Sequence, residues 1–194
     1  FKMSNKSVYD APSGSNPINR YIITVLVDNE PGVLARVVGM FSGRGYNIDS
    51  LNVAEVAANE NLSRITIVTH GTIDVVDLIR KQLMTIVPVH SVTNLEKEGS
   101  PVEAEVALIY LEINDSNKKD VFNICDFYRA RKIENENNTS IFEIAGTSER
   151  IDAFIKEISK LVVIEVVRSG PVAISTVERN TEEKWEFIMI GMLI

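Results

Sequence analysis

The residues best placed to do chemistry lie in one short run, Asp28-Asn29-Glu30-Pro31-Gly32, between a β-branched stretch and an apolar one. Val33, Leu34, Val37, Val38 and Phe41 follow at helical spacing, so the run opens a helix. A helix start leaves backbone amides without partners and carries partial positive charge, and can therefore hold a carboxylate. Gly32 would let a ligand approach the backbone, and Asn29 offers a donor and an acceptor to the charged ends of an amino acid. The same residues also make an ordinary helix start, with Asn29 or Glu30 as cap and Pro31 in the first turn, where its missing N–H costs nothing. Taken alone, the loop favours that plainer reading, since most such loops bind nothing.

Other chemistries find little support. The two histidines, His70 and His90, have no Cys or second His at ligand spacing, and serine, histidine and aspartate are too scattered for a nucleophilic triad. Gly43-Arg44-Gly45 sits where a helix should end, which makes it a stop signal rather than a phosphate loop. Twenty basic against 27 acidic side chains give a net charge of −7, the wrong sign for a nucleic-acid surface. Leu62-Ser-Arg-Ile-Thr-Ile67 lacks the aromatics with which an RNA-binding sheet of similar order stacks bases. Asp28 and Glu30 oppose the anion that an acylphosphatase-like loop would take. A single cysteine, Cys125, excludes an internal disulfide and suits a reducing cytosol. No apolar run is long enough to span a bilayer as a helix.

The elements that must position the loop form a repeat. Gly71-Thr-Ile-Asp-Val-Val-Asp-Leu-Ile-Arg-Lys-Gln-Leu83 aligns without a gap on Gly146-Thr-Ser-Glu-Arg-Ile-Asp-Ala-Phe-Ile-Lys-Glu-Ile158. Thr72 and Thr147 suit helix N-caps, and apolar positions then recur at helical spacing in both copies. One repeated unit means two similar domains. In the first, strands are expected over Tyr21 to Val27, Tyr46 to Val53, Leu62 to Thr69 and Val87 to Leu95, with helices from Val33 to Arg44 and after Gly71. In the second, Glu103 to Ile113, Lys132 to Asn135, Ser140 to Ala145 and Val162 to Val167 are strands, with one helix within Lys118 to Arg131 and another after Gly146. The polar runs Ala57 to Asn61 and Glu134 to Thr139 supply the connecting turns. The class is α+β: two ferredoxin-like βαββαβ units, each an antiparallel sheet with its helices on one face. The sheet's free edge, and a second face expected to carry Ile23 and Val25, would be open to a partner. The expected layout is a flexible leader over 1–19, domains over 20–97 and 101–175, and a tail over 176–194 whose apolar end, Phe187 to Ile194, reads equally as a docking strand, a locally packed tail or a disordered one.

Val27 to Leu51 closely resembles the opening ACT domain of acetolactate synthase small subunits. Leu62 to Ile67, Ala145-Gly-Thr-Ser148 with Ile151-Asp-Ala-Phe154, and Glu165-Val-Val-Arg-Ser-Gly170 fit the same family, so the resemblance runs from about Arg20 to Ser175. It implies a cytoplasmic regulatory subunit with no catalytic residues, metal or cofactor of its own. Such a subunit binds and activates a catalytic large subunit that uses thiamine diphosphate, magnesium and FAD. It also confers feedback inhibition by valine on the biosynthesis of branched-chain amino acids. The resemblance further implies a homodimer with valine between the ACT domains, held by Asn29, Gly32, Val33 and Leu34 and by Asn47 and Ile48 from the second strand. The competing expectation is another ACT-type amino-acid sensor that regulates a different enzyme.

Overall fold

The computed structural model describes residues 17–56, 59–97, 99, 101–136, 139–161 and 165–176. The leader up to residue 16, the tail from residue 177 and the tips of both hairpin turns lie outside these residues. Described residues up to Pro101 belong to one compact unit, and Val102–Ala173 forms a second.

In the first unit the strands are β1 (Asn19–Asp28), β2 (Ser50–Val56), β3 (Asn59–Gly71) and β4 (Val89–Asn94), with helices α1 (Val33–Gly43) and α2 (Ile73–Leu83) between them. The sheet order β2-β3-β1-β4 is antiparallel throughout. Alternation along β1 and β3 sends Tyr21, Ile23, Val25, Val27, Ile65 and Ile67 to one face. That face packs against Val33, Val37 and Phe41 of α1 and Val76, Ile79 and Leu83 of α2. Ile23 and Val25 are thus fully buried beneath the helices rather than presented on a face left to a partner. The opposite face carries Ile22, Thr24 and Leu26.

The second unit repeats the plan. Its strands are β5 (Val102–Glu112), β6 (Arg131–Glu136), β7 (Thr139–Gly146), β8 (Glu165–Arg168) and β9 (Val172–Ile174), and its helices are α3 (Lys118–Phe127) and α4 (Ser148–Ile158). The order is β6-β7-β5-β8, and β9 also pairs with β5. Ala107, Ile109, Leu111, Phe142 and Ile144 meet Val121 and Cys125 of α3 and Ile151, Phe154 and Ile158 of α4. The buried positions of α4 fall on those of α2 in the sequence repeat: Ile151 on Val76, Phe154 on Ile79, Ile158 on Leu83.

The repeat also sets the helix ends. The Thr72 hydroxyl accepts from the Val75 N–H and that of Thr147 from the Arg150 N–H, both at 3.4 Å. Each helix carries an acid in its first turn and a base in its last, complementing the helix dipole. At the end of α1, Gly45 takes φ +72°, with Gly45 N–H donating to Ser42 O at 3.2 Å and Tyr46 N–H to Phe41 O at 3.0 Å. This paired arrangement satisfies the last carbonyls and turns the chain back toward the sheet. The larger departures from expectation are in the first unit: the second strand begins at Ser50 rather than Tyr46, β3 at Asn59 rather than Leu62, and the last strand at Val89 rather than Val87, while the expected start of the last strand of the second unit, at Val162, lies outside the described residues. The turn after Gly45 consumes Tyr46 to Asp49 before the ladder can start. Among the described residues, no helix is long and apolar enough to cross a membrane.

Candidate functional site

The loop after β1 begins firmly anchored. Asp28 N–H donates to Pro88 O at 2.9 Å and Asn29 N–H to Asn61 O at 2.7 Å, while Asp28 Oδ1 lies 2.6 Å from His90 Nε2. Beyond Asn29 the chain turns away from the ladder. Gly32 is the N-cap of α1 at φ +89°, a left-handed conformation in which any L side chain is strained. No atom lies within 4 Å of where a Cβ would stand.

No side chain caps this helix, contrary to the cap expected from Asn29 or Glu30, and Pro31 precedes the cap instead of entering the first turn. The reason is geometric. Glu30 is drawn aside by Arg36 at 3.4 Å, and the Asn29 amide nitrogen donates to Glu55 Oε1 on β2 at 2.8 Å. Val33 N–H reaches Glu30 O at 3.4 Å, but among the described residues the N–H groups of Leu34 and Ala35 find no acceptor. With no acid in the first turn, the start of α1 presents bare amides next to open space.

The nominated residues divide into two groups. Val33 is in the core at 4% exposure, whereas Leu34 projects at 40%. Asn47 and Ile48 lie in the segment before β2, not on it. Asn47 is exposed, with its amide donating to Asp49 Oδ1 at 2.6 Å and its carbonyl accepting from Thr69 Oγ1 at 2.6 Å. Ile48 packs against the edge of the core. Strand register measures the separation between the groups. Thr69 is opposite Tyr21, whereas Glu55 pairs with Ser63 and Ser63 with Val27. Six residues of β1 separate these levels, about 20 Å at ~3.3 Å per residue. Within one chain, then, Asn29 and Asn47 stand at opposite ends of the sheet.

Several polar groups emerge only from the fold. Besides Glu55, His70 Nδ1 lies 2.7 Å from Asp49 Oδ2. In the second unit Arg168 makes two 2.7 Å bonds to Glu105, and also reaches Asp152 Oδ1 at 2.5 Å. The Arg168 guanidinium holds the Glu105 carboxyl below the usual carboxylate range, against the upward push of burial, and the Ser148 hydroxyl adds to the lowering. Cys125 is 1% exposed, and burial, joined by Asp126, pushes its pKa to about 12, so it stays a thiol. A shallow cleft of about 300 Å3 on the helix-free face of the second sheet, lined by Leu108, Tyr110, Ile141, Val167, Glu134 and Glu165, contains none of the nominated residues. Among the described residues no cluster of His, Cys, Asp and Glu is arranged to hold a metal ion.

Known proteins share this architecture. Residues 104–177 match the family described as the small subunit of acetolactate synthase, and residues 23–91 match the AHAS small subunit-like ACT domain. The acetolactate synthase isozyme 3 small subunit of Escherichia coli K12 is 39% identical over 157 residues, covering 80% of this chain and 95% of that protein. The acetolactate synthase small subunit of Haemophilus influenzae is 35% identical over 162 residues, covering 83% and 98%. The crystal structure of the acetolactate synthase small subunit from Thermotoga maritima has a TM-score of 0.76 at 31% identity, covering 83% of this chain and 99% of that one.

Proposed function

The chain belongs to the family of acetolactate synthase small subunits, and on that premise we propose that it is a non-catalytic, cytoplasmic subunit that senses valine. It binds the catalytic large subunit, raises its activity and makes it subject to feedback inhibition. Thiamine diphosphate, magnesium and FAD belong to that partner. The observation that carries the sensing role is the bare start of α1. Amides without acceptors behind a glycine with open space above it suit the carboxylate of a free amino acid. Asn29 opens the same loop, and the exposed Leu34 offers apolar surface to an aliphatic side chain.

The separation along the sheet supports a dimer. β2 is an edge strand. Two copies joined antiparallel along β2 would set the end of one strand, with Glu55 and the Asn29 loop, beside the start of the other, with its Asn47 and Ile48. One valine could then touch both groups. Pairing also satisfies an exposed edge and covers Val53, which is 46% exposed.

The test mixes the purified chain with its large subunit and follows acetolactate formation from pyruvate, with and without valine. The chain alone should turn nothing over, and adding it should raise the large subunit's rate and introduce valine inhibition. Equal rates with and without the chain would refute the regulatory role. Sedimentation should show a dimer in the absence of valine.

A further inference from the structure

We propose that the helix-free face of the second sheet docks the catalytic large subunit, through a segment of that partner that is apolar in its middle and carries a lysine or arginine toward each end. The inference rests on the regulatory role proposed above and adds the surface, and the chemistry, by which that partner is met.

Register lays out the face. Glu134 pairs with Ile141, Ile141 with Tyr110 and Tyr110 with Glu165, so the four form one row across β6, β7, β5 and β8. Directly paired residues point to the same side of a sheet, and all four line the cleft of about 300 Å3. The row begins and ends on a carboxylate, and three strand spacings of ~4.8 Å set the two backbones about 14 Å apart. The next row runs Arg131, Glu143, Leu108, Val167, and beyond it Val106 pairs with Ala145. Val106, Leu108 and Val167 are each 40% exposed or more. An apolar strip with a polar rim is the mark of a surface that an assembly covers.

The charges select what covers it. Arg131 meets Glu143 at 2.9 Å, so the charges of that row are already paired. Among the described residues Glu134 and Glu165 form no ion pair. Two such acids beside an apolar strip attract a partner that brings cations. The stems of its lysines or arginines would lie on Ile141, Leu108 and Val167, with their heads at the carboxylates. A second copy of the chain would bring the same two acids, and a net charge of −7 on each copy opposes its approach. The chain's own residues 178–186 hold four acids and two bases, so they do not supply the missing charge. The dimer proposed above forms along β2 of the first unit and makes no use of this face. The partner that remains is the large subunit.

The test titrates the full chain and its variants with purified large subunit and reads the affinity at low and at high salt. Glu134→Lys/Glu165→Lys should weaken binding at least about tenfold at low salt and less at high salt, where the charges are screened. Glu134→Gln/Glu165→Gln keeps the shape of both side chains and should lose about threefold, with a flatter salt dependence than the wild type. Leu108→Thr/Val167→Thr keeps residues that suit a strand, removes apolar area, and should lose about tenfold at either salt. Melting and sedimentation of the free chain should barely change for any of the three, because every altered side chain is exposed. A wild type that binds the large subunit, with variants that bind as tightly, overturns the docking face and spares the regulatory role. Variants that lose the dimer instead would assign the face to a second copy and overturn the proposal as well. A wild type that does not bind the large subunit overturns both.

Discussion

At the start of α3 the Asn117 side chain accepts from the Asn114 N–H at 2.8 Å and donates to the Glu112 carbonyl at 3.1 Å. Asn114 Oδ1 in turn accepts from the Ser116 and Asn117 N–H groups at 3.0 and 3.1 Å. At the equivalent start of α1, Gly32 has no side chain, Asn29 is turned toward Glu55, and the amides of Leu34 and Ala35 are bare. The two loops join a first strand to a first helix in the same topology. One spends its polar groups on itself, and Asn117 is 9% exposed. The other leaves donors facing open space. A repeated fold therefore need not repeat a site: neither helix start has a side-chain cap, but α3 carries Asp120 in its first turn, which opposes a bound anion, and α1 carries no acid there.

The widest gap between the units should come from Arg168→Ala. The Glu105 side chain is 2% exposed, so removing its partner strands a buried charge, and about 3 kcal/mol of stability should go at neutral pH. The guanidinium is 34% exposed, which holds the loss to the low end of the range for broken buried pairs. The pH dependence has a definite sign. The carboxyl is held below its ordinary value, so its stabilising contribution is complete above the usual carboxylate range and is lost as pH falls through the lowered value. The deficit of Arg168→Ala in chemical denaturation should accordingly shrink in acid. A deficit that is constant with pH would show that the pair is not its source.

Asn29→Ala and Asn117→Ala set the two loops against each other directly. Loss of Asn29 should weaken valine by about 10- to 100-fold in titration, with little change in melting temperature. Gly32→Asp should act in the same direction, since it adds a carboxylate beside the one the helix start would hold and strains the backbone at φ +89°. Loss of Asn117 should cost about 1 kcal/mol of stability and leave valine affinity unchanged, because two part-buried hydrogen bonds are lost. If Asn29→Ala melts low but is inhibited normally, the loop is structural and the comparison collapses.

The smallest effect lies at the other ends of the same helices. Arg129, at φ +52°, holds the left-handed place after α3 that Gly45 holds after α1, with the corresponding bonds of Arg129 N–H to Asp126 O at 3.0 Å and Ala130 N–H to Cys125 O at 2.8 Å. Arg129→Gly should therefore stabilise the second unit by roughly 0.5–1 kcal/mol, and Gly45→Ala should destabilise the first by about 1 kcal/mol. Equal behaviour at both positions would mean that the conformation is not under strain.

Much of the frame was legible without coordinates. The Gly-Thr repeat located α2 and α4 and named both caps, because a threonine cap and a 3.6-residue apolar period are local properties of the chain. Strand alternation gave the βαββαβ order for the same reason, and the Asp28 to Gly32 run marked the helix start. Tertiary structure decided which face of β1 meets the helices, because Ile22, Ile23, Val25 and Leu26 are all apolar and periodicity cannot rank them. It also decided the partners of the polar groups. Glu55 is 26 residues from Asn29, and Arg168 is 63 from Glu105, and only the register of the sheets brings each pair together. Asn29 and Asn47 are eighteen residues apart in sequence. An intervening helix and the ladder of β1, β2 and β3 put them at opposite ends of one sheet, since strand length rather than sequence distance sets how far apart two loops stand.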